Sequence, residues 1–444
     1  MLSRSQLGTR EWDRKGGSLP KGLNYNPHTL PEGSRAAHRT SHEAPSPWVL
    51  VAAGFHRKGG MEKANLALAE YLLERDIPVH VIAHGVEPHL EKHPLVKVYL
   101  IPRPLGSSLL GEFPLAYQGR TIVQKVLKTW PRAQVVVNGG NLVWPGINWA
   151  HYVHHAWPAP RNGAPWFYRI KSALADSRAR RTESAAFKRA QLVIANSDRT
   201  RREIIEYFGI DEHRVHTVYL GADSEWGLVT LAERAASRQS LQVGPSRTVA
   251  AFVGGLGFDH RKGFDVLFRA WERLCAMPEW DADLLVAGGG PALPMWRTAV
   301  LKSGLNERIR LLGFSDQVKS VLAGIDLLVS PVRYEPYGLN VQEAICRGIP
   351  ALVSASAGVA ERYEPDFAPM LIRDPEDVSE LVQRLLAWRS KKEEWKARFQ
   401  PFGDRLRSRS WRDTAADMVS IVQQQEQCLQ EQAYVPVLAT SHHS

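Results

Sequence analysis

The chain is poor in cysteine, with three among 444 residues: Cys275, Cys346 and Cys428. Their wide spacing excludes a disulfide framework and the paired spacing of a structural zinc site. It suits reduced thiols in a cytoplasm, which is the expected location. No run approaches the roughly 20 consecutive apolar residues of a spanning helix, so any membrane association is expected to be peripheral, at the inner face. The first residues also lack an apolar leader core, and no secretory signal is expected. Acidic side chains are the scarcer charge, 46 against 56 Lys and Arg, giving a formal charge of +10 and a pI near 9.5. That excess favours anionic ligands or surfaces. No nucleic-acid-binding motif accompanies it, so a nucleic acid partner is not expected.

What is present is globular. A hydrophobic content of 44% over this length suffices for two domains with their own cores. Residues 1–47 are polar, mix charges without period and read as a disordered tail. Order is expected from 48–53, WVLVAA, a buried strand. A glycine-containing loop at 54–60, an amphipathic helix at 61–74 and a strand at 78–83 make a Rossmann-like start. Further strands are expected at 96–101, 134–137, 148–153 and 190–197, with a helix at 199–208. A polar stretch at 224–246 marks the domain boundary. The second domain repeats the alternation, with strands at 247–255, 283–290 and 309–314 and a helix at 374–388. A last helix is expected at 411–424, and 425–444 reads as a frayed tail. The fold class is therefore α/β, with two Rossmann-like, doubly wound parallel-sheet domains at 48–230 and 245–390.

The most informative stretch is 325–354, IDLLVSPVRYEPYGLNVQEAICRGIPALVS. An apolar run at 325–329 suits a buried strand, 330–337 a loop, 339–347 a short helix stopped by Gly348, and 351–354 a second strand. In open α/β sheets, the loop and helix start of such a βαβ unit form a ligand-binding crevice. The first amides of the helix, 338–341, carry partial positive charge and suit a phosphate. Glu335 and Glu343 flank them, and ionised carboxylates accept hydrogen bonds from hydroxyls. Phosphate flanked by hydroxyls describes a nucleotide sugar. The bare Glu pair alone reads as two solvated surface carboxylates; the surrounding motif is the specific signal.

Here the sequence resembles the retaining glycosyltransferases of family 4 (glycosyl transferases group 1), which have the GT-B fold. Their signature is E-P-[FY]-G-x-x-x-x-E followed by A-x-x-x-G-x-P. Glu335, Pro336, Tyr337, Gly338, Glu343, Ala344, Gly348 and Pro350 match it. The resemblance implies a cleft between an acceptor domain at 48–230 and a donor domain at 245–390, with helices at 391–424 crossing back onto the first domain. It places Glu335 by the donor sugar, Glu343 on the ribose, and the amides of Gly338, Leu339 and Asn340 on the phosphates. A second pattern, F-V-G-x-x-x-x-K-G, is matched at Gly254, Lys262 and Gly263 with a longer insertion at 257–260; the resemblance implies that Arg261 and Lys262 clamp the diphosphate. The paired Gly59 and Gly60 would border donor phosphate and acceptor. A strand-end histidine facing the sugar aligns with His154 in the cluster His151, His154 and His155, although His155 stands where the family has aspartate, so His154 and His155 both remain candidates. No metal ligand set is expected: the Asp281–Asp283 pair reads as a turn. No cofactor is implied beyond the donor substrate, a UDP- or GDP-linked sugar, with a glycan or lipid-linked acceptor as partner.

Residues 157–189 carry eight Lys and Arg against Asp176 and Glu183, interleaved with Trp157, Trp166, Phe167 and Tyr168. Two readings stand: contact with an anionic membrane or acceptor, and a solvated helix face. At the level of function, a nucleotide-sugar epimerase of the same fold and a non-catalytic basic scaffold are the alternatives.

Overall fold

The computed structural model describes residues 45–161 and 163–434. The tail expected at 1–47 lies almost wholly outside them, as does 435–444.

The first domain is built on seven strands: β1 (Trp48–Val51), β2 (Val79–Ala83), β3 (Val96–Leu100), β4 (Gln134–Asn138), β5 (Ile147–Ala150), β6 (Leu192–Ala195) and β7 (Val215–Thr217). Its helices are α1 (Gly60–Leu73), α2 (Pro88–Glu91), α3 (Ser108–Thr129), α4 (Trp166–Arg189) and α5 (Asp198–Phe208). All pairings are parallel, in the order β3-β2-β1-β4-β5-β6-β7. Trp48 and Leu50 join the core on one face of β1, while Val49 and Val51 join the core on the other. A strand buried on both faces reads as a continuous apolar run, and this one does.

A linker containing α6 (Leu231–Ser240) leads to the second domain. Its strands are β8 (Thr248–Val253), β9 (Ala282–Ala287), β10 (Ile309–Gly313), β11 (Leu327–Ser330), β12 (Ala351–Ser354) and β13 (Leu371–Ile372). They form a second parallel sheet in the order β10-β9-β8-β11-β12-β13. The helices are α7 (Phe264–Cys275), α8 (Leu293–Lys302), α9 (Val318–Gly324), α10 (Leu339–Cys346), α11 (Val378–Ser390), α12 (Lys392–Arg407) and α13 (Trp411–Tyr434). In both sheets the order reverses beside the first strand, at β1/β4 and β8/β11. Those switch points put the loops after β1, β8 and β11 where ligands bind in such folds.

The last helix belongs to the first domain. Met418, Val419 and Val422 of α13 share a core with Leu66, Ala69 and Leu72 of α1. α13 also runs to Tyr434, past the end expected at 424. The 22-residue α3 was not legible in advance. Gly111, Pro114 and Gly119 interrupt its sequence, and tertiary packing of Leu115, Val123 and Val126 overrides their poor propensity.

Candidate active site

The loop from Pro331 to Gly338 follows β11 and ends at the N-cap of α10. Gly338 has φ +108°, a conformation that side chains with a Cβ rarely adopt. The loop after β8 lies directly against it: a Cβ on Gly263 would fall 1.8 Å from the Pro331 carbonyl oxygen. That contact brings Lys262 to Glu335. The Lys262 ammonium donates to Glu335 Oε2, and Arg261 Nη1 stands 3.9 Å from the same oxygen while donating to the Tyr334 carbonyl at 3.2 Å. Burial alone would push the Glu335 carboxyl up. Lys262, Arg261 and Arg199 more than offset it and hold that carboxyl below its ordinary value, ionised. The Val341 amide turns back to the Gly338 carbonyl at 3.0 Å, so the donors open to a phosphate are the amides before it. Asn340 uses its side chain structurally, donating to Val253 O at 2.8 Å and tying α10 to the end of β8.

Facing this loop across a cavity of about 360 Å³ are Gly60, Met61, His151 and Asn196 of the first domain. Gly254, Lys262, Glu335, Gly338, Leu339 and Asn340 line the second-domain side. The domains approach closely here, since a Cβ on Gly60 would lie 3.3 Å from Leu339 Cδ2. Gly59, at φ +90°, caps α1 just outside the lining.

The histidine in the cleft is His151, not His154. β5 ends at Ala150, short of the expected 153, and residues 154–156 then form a 3₁₀ turn that carries both later histidines to α4. The His154 amide donates to Glu183 Oε1 at 2.8 Å, and His155 Nδ1 lies 3.0 Å from Glu183 Oε2. His151 Nε2 is shielded from solvent and has no partner within the described chain. Burial pushes its pKa down to about 3, so the imidazole is neutral.

Glu343 stands outside the lining, held from across the domain boundary. Lys63 Nζ of α1 lies 3.3 Å from Glu343 Oε1 and 2.6 Å from Asp223 Oδ2 of the linker, and 5.7 Å from the Trp226 ring centroid. Burial alone would lower the Lys63 ammonium, but its two carboxylates raise it. With one ammonium for two carboxylates, burial prevails at Glu343, whose pKa is pushed up to about 7. Lys63 went unnoticed in the sequence; its only signal is its position three residues past the glycine pair.

Further contacts latch the second domain to the first, from Tyr334 and Pro336 of this loop and from Glu361 beyond β12. Tyr334 Oη accepts from the Val153 amide and donates to Glu203, each at 3.1 Å. Ser197 Oγ donates to Pro336 O at 2.6 Å. Glu361 accepts from the amides of Asp198 and Arg199 at the start of α5, at 2.9 and 2.6 Å. The Asp281–Asp283 pair sits at the opposite end of β9 from the cleft. Asp281 pairs with Arg389 at 2.5 Å, and Asp283 with Arg247 at 2.5 Å and Arg308 at 2.9 Å.

Two parallel-sheet domains meeting at this crevice are the GT-B architecture. Residues 247–388 match the family described as Glycosyl transferases group 1, and residues 58–226 match Glycosyltransferase Family 4. The chain belongs to these family 4, group 1 glycosyltransferases. It spans about half the length of the first curated relatives it matches. One is an uncharacterized glycosyltransferase of Methanocaldococcus jannaschii, 27% identical over 44% of this chain and 50% of that protein. The 2-deoxystreptamine N-acetyl-D-glucosaminyltransferase of Streptomyces fradiae is 27% identical over 74% of this chain and 82% of its own. Among solved structures, WaaG, a glycosyltransferase involved in lipopolysaccharide biosynthesis, superposes with a TM-score of 0.65 at 21% identity, covering 83% of this chain and 98% of that one. Anabaena HepE, in complex with UDP and glucose, superposes with a TM-score of 0.58 at 18% identity, over 87% and 100% of the two chains. At these identities the structural likeness establishes the fold.

Proposed function

We propose that this protein is a retaining glycosyltransferase that moves a sugar from a nucleotide diphosphate, UDP- or GDP-linked, to a hydroxyl of a glycan or lipid-linked acceptor. The observation that carries the reading is the ion pair of Lys262 with Glu335 beside the first amides of α10, facing neutral His151 across the cleft. Charge develops on the leaving diphosphate as its bond to the sugar breaks. Lys262, Arg261 and the amides of Leu339 and Asn340 supply fixed positive groups for it. No metal is required on this account. The acceptor oxygen bonds to the anomeric carbon on the face that the phosphate leaves, and the departing phosphate oxygen takes the acceptor proton. Glu335 and His151 orient the sugar. The reaction takes place in a cytoplasm, with peripheral contact to an anionic membrane.

The test is a panel of nucleotide sugars, assayed for donor hydrolysis and transfer with and without excess EDTA. Release of free sugar and nucleoside diphosphate from one donor, undiminished by EDTA, is expected. Conversion of the donor to its epimer would overturn the reading in favour of an epimerase. Full loss with EDTA and rescue by Mn²⁺ or Mg²⁺ would overturn the metal-free part.

A further inference from the structure

Two helices of the first domain carry large apolar side chains out into solvent. On α3, Leu110, Phe113 and Tyr117 recur at helical spacing on one face, with Phe113 66% and Tyr117 69% exposed. On α4, Trp166, Ile170 and Leu174 do the same, at 73%, 54% and 65%. An ion pair links the two helices. Arg178, one turn beyond Leu174, pairs with Glu112, the residue before Phe113, at 3.3 Å. Neither stripe closes a core, and apolar side chains grouped in the open on each helix mark an interaction site. Its charge is one-sided. Arg169, Lys171 and Arg181 of α4 and Lys125 and Lys128 of α3 are exposed. The acidic members Glu112 and Asp176 are already paired, with Arg178 and Arg161.

We propose that α3 and α4 together form a platform that inserts its apolar stripes into the interface of an anionic phospholipid bilayer and brings a lipid-anchored acceptor to the cleft. An apolar face rimmed by basic residues lies in the plane of such an interface. The basic rim is attracted to anionic headgroups, and the apolar stripes enter the acyl boundary. The platform is coupled to the cleft: the Tyr168 ring of α4 packs edge-on against Phe258 at 5.3 Å, in the loop that leads to Arg261 and Lys262. Among the described residues no helix is long and apolar enough to cross a membrane, so the attachment is interfacial. The acceptor half of the proposal rests on the transferase reading; the membrane half does not.

The experiment is co-sedimentation of the full chain with phosphatidylcholine vesicles, with and without phosphatidylglycerol, at low and high salt. The wild type is expected to bind anionic vesicles and keep a salt-resistant fraction. A Phe113→Ser/Ile170→Ser/Leu174→Ser variant should lose that fraction, lowering partitioning at least about tenfold. An Arg169→Gln/Lys171→Gln variant should lose only the salt-sensitive part. These side chains are exposed, and an unchanged melting temperature and nucleotide affinity separate loss of the platform from loss of the fold or donor site. Wild type that ignores anionic vesicles, or is released completely by salt, overturns the proposal. So does a wild-type dimer that ignores vesicles and that the serine variant dissociates; the stripes would then bind a second copy. Normal vesicle binding with no transfer to any lipid-anchored acceptor would leave the platform standing and overturn the acceptor assignment alone.

Discussion

Lys63 and Glu343 are 280 residues apart in the chain and 3.3 Å apart in space, one on the first helix of the first domain and the other on the helix that follows the Glu335 loop. Asp223 of the linker closes the group from the third side. The ammonium therefore joins both domains and the segment between them, at side chains less than one-fifth exposed. A ribose that takes Glu343 must displace this lysine or share the carboxylate with it.

Lys63→Met should destabilise the protein, because it leaves two largely buried carboxylates facing each other. Removing one partner of such a group costs about 3–5 kcal/mol. Combining it with Glu343→Gln should recover most of the loss. Urea unfolding of wild type and the two variants measures this; a Lys63→Met variant as stable as wild type would mean the group is no more than a solvated contact.

Glu343 predicts an unusual pH dependence. Its carboxyl is raised by burial from 4.5 to about 7, so between these values the folded protein holds a proton that the unfolded chain has released. Stability from this group is therefore greatest below pH 4.5, falls as pH rises towards 7 and is flat above. The total change is on the order of 3 kcal/mol. Glu335, held below its ordinary value, works in the opposite direction at lower pH. The difference in unfolding free energy between wild type and Glu343→Gln, followed from pH 4.5 to 8, should decline with pH; a flat or rising difference contradicts the burial argument.

Lys262→Ala should lower kcat on the order of 100-fold with little change in KM, because its ammonium meets charge that grows in the transition state. Steady-state kinetics with saturating acceptor decide it. A raised KM at constant kcat would make Lys262 a ground-state binding group.

His151→Ala should cost far more activity than His154→Ala, since only His151 lines the cleft. Its pKa near 3 also means that no imidazole step from it enters the rate profile between pH 5 and 8. Measuring kcat/KM for both variants tests the assignment, and equal losses would refute it.

The amino-acid sequence by itself determined the two-domain α/β plan and the local frame of the candidate site. Both follow from short-range rules. Apolar runs bounded by glycine and proline mark parallel strands, and Glu335, Gly338 and Glu343 lie within one strand-loop-helix unit whose geometry is local. Lys262 was singled out by the family pattern around Gly254 and Gly263; its meeting with Glu335 rests on the close approach of Gly263 to Pro331. Three features were decided only by tertiary structure. Which histidine enters the cleft depends on β5 stopping at Ala150 because the next turn docks on Glu183. The partner of Glu343 lies on a helix almost the whole chain away, and nothing near either residue encodes the pairing. The exposed stripe on α3 could not be read because its glycines and proline hide the helix. That helix forms because its other face packs against the first sheet, and only that packing determines which side chains are left outside.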